Sequence, residues 1–226
     1  MAGGEATLRS GSTRLGAVAV GLACAAALLA YYLIGYLMVR PPAVSASSGP
    51  PRARLTLQTV ASLGIGPHPD WVSYLVKDPQ GHWRHSTVLN VPANSLVRIT
   101  VLQYDTATGL RNPYWGGPRG IVGEMTVDGK PTPTLDPDLA SHTFAIPDFG
   151  VSVPLKGVAD NAKNQCSVAP CTLAEAHTTV AFTIRTGKAG TYRWQCFVPC
   201  AAGFILGFGG PMQSVGYMDG YLHVIA

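Results

Sequence analysis

The chain has 226 residues, 12% of them charged and 47% hydrophobic, with a formal net charge of +4. So little charge beside so much apolar content excludes a disordered polar protein. The 26 Gly and 18 Pro exclude a helical bundle or coiled coil, because both residues break helix interiors. There is no run of five or more Lys/Arg, so no nucleic-acid partner is expected.

Residues 1–14 form a short N-terminal tail. Between Arg14 and Arg40 no residue is charged. Residues 15–39, LGAVAVGLACAAALLAYYLIGYLMV, exceed the roughly 20 apolar residues that cross a bilayer as a helix. Tyr31, Tyr32 and Tyr36 gather in the second half, as interfacial aromatics do. The run is too long for a signal-peptide core of roughly 7–15 residues, so a retained anchor in membrane lipid is expected. Val44-Ser45-Ala46 leaves a cleaved signal as the alternative. Arg9 and Arg14 precede the span and Arg40, Arg52 and Arg54 follow it, so local charge sets no clear orientation. A short tail before a large C-terminal domain favours the domain lying outside the cytoplasm.

Residues 40–54 are Pro/Ser-rich and read as an extended, semi-rigid linker. Residues 55–226 then form one domain, large enough to bury a core. Its pattern is mostly strand. Candidates are Leu55–Val60, Ser86–Val91, Leu96–Tyr104, Glu124–Val127 before the Asp128-Gly129 turn, His142–Ile146 and Val151–Leu155. Leu173–His177 reads as one helical turn. Thr178–Arg185 alternates apolar and polar, Thr191–Phe197 follows Gly190, and Tyr221–Ile225 closes the chain. Residues 112–137 read as an irregular insertion. Many short strands with Gly/Pro punctuation predict an all-β sandwich or barrel.

Four Cys lie beyond the apolar run, and spacing alone permits three pairings. Cys166 and Cys171 read as a loop disulfide. For Cys196 and Cys200, a disulfide and a pair of metal ligands both stand. With His142 and either Met212 or Met218, the two Cys would make a soft sulfur and imidazole set suited to Cu(I). His223 could join only if Tyr221, His223 and Ile225 form the inward face of the last strand. His68, His82, His85 and His177 read as solvated surface residues, and the four Trp as packing. No Gly-x-Ser-x-Gly, P-loop or His-Glu-x-x-His is present. Asp136 and Asp138 sit in a Pro-rich loop and suggest no catalysis.

The order of several pieces carries more than any one of them. Val91-Pro-Ala-Asn-Ser-Leu-Val-Arg-Ile-Thr-Val is followed by Ser141-His142-Thr-Phe-Ala-Ile-Pro and Val180-Ala-Phe-Thr-Ile. Gly190-Thr-Tyr-Arg-Trp-Gln-Cys196 and Gly216-Tyr-Met218-Asp-Gly220-Tyr-Leu-His-Val224 complete the set. Over residues 86–226 this resembles the cupredoxin family, and most of all the extracytoplasmic domain of cytochrome c oxidase subunit II. The apolar N-terminal run and Cys196-Phe-Val-Pro-Cys200 carry the second likeness. The resemblance implies a cupredoxin-like Greek-key β-sandwich preceded by one transmembrane helix. It also implies copper at His142, Cys196, Cys200, Met212 and Met218, and electron transfer beside oxidase or other membrane subunits in a respiratory or copper-handling complex. Catalysis by the chain alone is not expected. The family's Cys-x3-Cys-x3-His-x2-Met continues here with Phe204 and Gly207 in place of His and Met. The alternative is a copper-free structural or interaction subunit with a Cys196–Cys200 disulfide. The loop Gly203–Met212 would then pack over the metal position with Phe204 and Ile205, or stand exposed as an apolar contact patch.

Overall fold

A computed structural model describes residues 5–37, 40–109, 112–201 and 205–226. The chain divides into two compact units, Met1–Arg40 and Pro41–Ala226. The first is helix α1, Glu5–Tyr32, continued by a π-helical turn over Leu33–Leu37. It starts ten residues before the predicted span, because the tail carries no Pro to stop it. Arg14–Gly35 has a mean hydropathy of 2.2 and no buried share, so it is one helix long and apolar enough to cross a membrane.

The second unit contains fourteen strands among the described residues. They are β1 Val44–Ser45, β2 Ser47–Gly49, β3 Arg52–Val60, β4 Ser73–Lys77, β5 Trp83–Arg84, β6 Val88–Pro92 and β7 Leu96–Gln103. There follow β8 Thr126–Val127, β9 Lys130–Pro131, β10 Ala140–Ile146, β11 Val151–Lys156, β12 Thr178–Arg185, β13 Gly190–Gln195 and β14 Asp219–Ile225. One sheet runs β1-β6-β14-β13-β10-β11, and the other β5-β4-β3-β7-β12-β8-β9 with β2 on β3. The chain crosses repeatedly between the sheets, giving the all-β Greek-key sandwich expected from the sequence.

Alternation explains the layers. In β12, Val180, Phe182 and Ile184 are buried, while Thr179 and Thr183 are half-buried. In β7, Val97, Ile99 and Val101 point the same way, and Arg98 and Thr100 point out. The two inner faces meet at Phe144 and Phe182, whose ring centroids are 5.6 Å apart. Trp194 stacks on Phe144 at 4.7 Å and takes the edge of Tyr74 at 5.0 Å. Its indole N–H donates to Thr87 O at 2.9 Å, so the ring's one polar group is satisfied in the core.

Residues 40–54 are not a free linker. Val44 pairs in parallel with Leu89, and β2 pairs with the start of β3. Val44 and Ala53 are buried. Backbone pairing at a sheet edge needs no hydrophobic period, so a Pro/Ser-rich stretch can supply it. Strand β4 was also invisible to alternation, because four of its five residues are buried in succession. Within 112–137, Asp128 and Gly129 both take positive φ, the turn that this dipeptide favours between β8 and β9. Trp115, Met125 and Leu135 tie that segment to the core.

Candidate metal centre

Cys196 lies just beyond β13, two residues after Trp194, and both side chains are fully buried. Its N–H donates to Met218 O at 2.9 Å, which joins it to the approach to β14. β10 lies beside β13 with Ala145 opposite Gln195. That register carries His142 back to the level of the residues after β13. A β-bulge interrupts β10 between Ala140 and His142, a device that re-aims side chains near functional sites.

Four of the five sequence-predicted site residues meet here. Cys196 Sγ lies 3.9 Å from His142 Nδ1 and 3.8 Å from Cys200 Sγ. Cys200 Sγ lies 3.2 Å from Met212 Sδ. Met212 rides on a 3₁₀ turn over Gly210–Gln213 that buries it. Met218 is buried too, and its contact with the group is the carbonyl that accepts from Cys196. Val198 O, between the two Cys, is 3.5 Å from Cys196 Sγ. His142, Cys196 and Cys200 have donor atoms within 4.8 Å of one another.

Residues that the sequence did not mark hold this group in place. Asp105, just past β7, sets Oδ2 3.0 Å from His142 Nε2, and its Oδ1 accepts Thr106 N–H at 2.7 Å. With Nε2 engaged, Nδ1 is the nitrogen that faces the sulfurs. Thr143 N–H donates to Cys196 Sγ at 3.3 Å, and Thr143 Oγ1 accepts Phe197 N–H at 2.7 Å. Tyr74 donates to Thr143 O at 2.9 Å. Thr143 was visible only as the middle of the His-x-Phe motif. Asp105 and Tyr74 carry no local signal.

The electrostatics follow from burial and contact. Burial alone would lower the His142 pKa, but the Asp105 hydrogen bond and then Cys196 outweigh it and raise it to about 9. Burial works against ionising Cys196. The hydrogen bond from Cys200, the His142 contact and Thr143 N–H together hold its pKa well below the ordinary thiol range. Cys200 is pushed well up, first by that hydrogen bond to Cys196 and then by burial. These shifts favour negative charge on Cys196 beside positive charge on His142 and keep the proton on Cys200. Asp105 is pushed up by burial, but His142 and Thr106 N–H bring it below the usual carboxylate range.

The expected Cys166–Cys171 disulfide is present, and of the two states left open for Cys196 and Cys200 the unbonded one is observed. Other expectations change. His223 does not face the group, because Leu222 and Val224 take the inward face of β14. Only His82 of the four supposed surface histidines is well exposed. His68 stacks on Trp71 with centroids 3.8 Å apart, His85 meets the edge of Tyr217 at 4.9 Å, and His177 Nδ1 lies 2.8 Å from Glu175 O. In the loop after Cys200, Leu206 and Phe208 are exposed rather than packed inward. Phe204 lies outside the described residues, as does the side chain of Ile205.

Donors about 2.0–2.3 Å from one trigonal or tetrahedral ion stand ~3.4–4.0 Å apart. The consecutive separations of 3.2–3.9 Å are of that order, and the donor atoms of His142, Cys196 and Cys200 all lie within 4.8 Å of one another. A thioether beside thiolates and an imidazole suits Cu(I) better than zinc.

Fold and site together define a cupredoxin-like β-sandwich with a His, Cys, Cys and Met donor group, buried except for the half-buried Cys200. No family model matches the sequence, and no curated protein matches it. Solved structures similar to this chain include rusticyanin from Thiobacillus ferrooxidans, at 16% identity over 76% of this chain and 77% of that one, with a TM-score of 0.33. Another is the metal-binding domain of the Streptococcus pneumoniae Cu(I)-exporting P-type ATPase, at 8% identity over 83% and 100%, with a TM-score of 0.34. A chain of a heme-copper terminal oxidase dimer matches at 14% identity over 96% and 99%, with a TM-score of 0.31. At such scores the fold assignment rests on the strand topology above.

Proposed function

We propose that this chain is a membrane-anchored, extracytoplasmic copper protein resembling cytochrome c oxidase subunit II, acting in electron transfer within a respiratory or copper-handling complex. The observation that carries the reading is the succession His142 Nδ1, Cys196 Sγ, Cys200 Sγ, Met212 Sδ, each atom 3.2–3.9 Å from the next, with His142, Cys196 and Met212 buried and Cys200 half-buried. These four side chains would hold the ion, with Met218 and Val198 O as further donors. Bound copper would supply a one-electron couple. Asp105 orients the His142 ring, Thr143 N–H stabilises negative charge on Cys196, and the surrounding core excludes water.

The apolar run 15–39 is the anchor, and membrane subunits are the partners. The Cys166–Cys171 disulfide supports an oxidising compartment outside the cytoplasm. No reaction is assigned to the chain alone. The disulfide-locked alternative is disfavoured by the 3.8 Å gap between Cys196 and Cys200.

The test is to load the full chain with Cu(I) anaerobically, challenge it with a Cu(I) chelator and count retained copper. About one copper per chain is expected by the four-donor count, with marked loss in Cys196→Ser and His142→Ala. A wild-type chain that keeps no copper after desalting overturns the reading.

A further inference from the structure

The outer face of the second sheet carries a feature the copper reading does not use. Arg54 on β3 and Arg98 on β7 are Cα partners in the parallel register, so their side chains leave the same face on adjacent strands. Strands so paired lie about 4.8 Å apart, and like charges directly opposite destabilise a sheet. Neither arginine forms an ion pair among the described residues. Arg54 Nε donates to Pro50 O at 2.9 Å, which fixes the root of its guanidinium and leaves the two Nη groups for another acceptor.

The register continues the pattern. Thr56 faces Thr100, and Thr183 on β12 faces Arg98. The two arginines and three threonines line one open groove of about 750 Å³, walled by apolar residues such as Val122. Arg52 and Arg185, both exposed, extend the positive face by the same alternation. Glu124 is the nearest carboxylate in sequence to the groove wall, and it forms no ion pair among the described residues. The groove is remote from the donor group. It lies toward the end of the sandwich where Asn94 N–H meets Gly187 O and β13 begins. The six residues of β13 carry the chain about 20 Å from there toward Cys196.

We propose that this groove binds a phosphate group. Two forked guanidiniums side by side present paired N–H donors to the oxygens of a phosphate, and their combined positive charge favours an anion. The threonine hydroxyls can donate to the remaining oxygens. The phosphate group is the shared chemistry of a free phosphate and of an anionic phospholipid headgroup, and the two arms of the test separate these sources.

The full chain in a neutral detergent is unfolded thermally in sodium phosphate and in sodium chloride at matched ionic strength. A second arm adds a short-chain phosphatidylglycerol, with the matching phosphatidylcholine as control. A saturable rise in midpoint is expected in at least one arm. A rise with phosphate alone assigns a free anion, and a rise with phosphatidylglycerol alone assigns a headgroup. Arg54→Gln and Arg98→Gln should each weaken binding at least about tenfold, and the double variant should lose it. Arg98→Lys keeps the charge without the fork and should also bind more weakly. The near-ultraviolet signal of buried Trp194 checks that each variant is folded. No rise in either arm overturns the proposal, and so does a rise that survives in the folded double variant. Because neither readout involves copper, failure here leaves the copper reading untouched, and the reverse also holds.

Discussion

Asp105→Asn isolates the interaction that sequence reading missed. The change keeps the shape of the side chain and an oxygen for one hydrogen bond, but removes the charge facing His142 Nε2 at 3.0 Å. In the metal-free protein, His142 is raised from 6.5 to about 9, against burial that would lower it. That rise corresponds to about 3 kcal/mol of preference for the protonated ring. A group whose folded pKa is raised stabilises the fold fully below its unfolded value and loses that contribution as pH climbs through the folded one. The contribution of His142 is therefore present at pH 6, falls between 6.5 and about 9, and is gone by pH 10. Asp105 is itself lowered, so its own titration acts only in acid, below this window. Asp105→Asn should destabilise the metal-free chain by about 2–3 kcal/mol at pH 6 and by much less at pH 10. Urea unfolding of the full chain in detergent, followed by tryptophan fluorescence at both pH values, measures this. An equal loss at pH 6 and pH 10, or a larger one at pH 10, refutes the electrostatic account.

Copper binding at pH 8 should release protons from His142 and Cys200, while Cys196, whose pKa is lowered, contributes less. Apparent Cu(I) affinity should then rise with pH by about tenfold per pH unit for each proton displaced, and level off for His142 above about 9. Calorimetry in buffers of different ionisation enthalpy counts the protons, and a buffer-independent heat would contradict the assignment. Met212→Leu keeps volume and burial but removes the thioether beside Cys200. It should cost less than about 1.5 kcal/mol of stability yet weaken Cu(I) retention against a chelator. Unchanged retention would remove Met212 from the donor group. Val44→Ala, on the buried side of β1, should cost about 1.5 kcal/mol. Ser48→Ala, exposed on β2, should fall within about 0.5 kcal/mol. Chemical unfolding distinguishes them, and equal effects would mean that residues 41–49 do not belong to the β-unit.

Much of the frame was legible because it is written in local patterns. The uncharged run after Arg14 specifies a helix of membrane-spanning length without reference to the rest of the chain. Alternation in Thr178–Arg185 and the β-rich run Leu96–Tyr104 mark strands, which are observed at Thr178–Arg185 and Leu96–Gln103. The Asp128-Gly129 turn follows from the conformational freedom of two residues. Where burial is continuous, as in β4, or where pairing uses the backbone alone, as in β1 and β2, the pattern is silent.

The donor group was legible in composition and not in geometry. His142, Cys196, Cys200 and Met212 could be named from residue type and the order of motifs. That they adjoin depends on β10 lying beside β13 in one register, and on a 3₁₀ turn that brings Met212 back to Cys200. The inward face of β14 excluded His223, a choice alternation cannot make because it assigns two faces without saying which one meets the core. Asp105 reaches His142 from just past β7, a strand of the opposite sheet, so no spacing along the chain could have paired them. By itself, then, the sequence determined an apolar helix, a set of short strands and a supply of soft ligands, since each depends on near neighbours. The tertiary structure alone decided which ligands meet, which carboxylate fixes the imidazole, that the two thiols stay unbonded, and that two arginines share a face with no ion-pair partner among the described residues. Those outcomes depend on strand order and register, which join residues far apart in the chain.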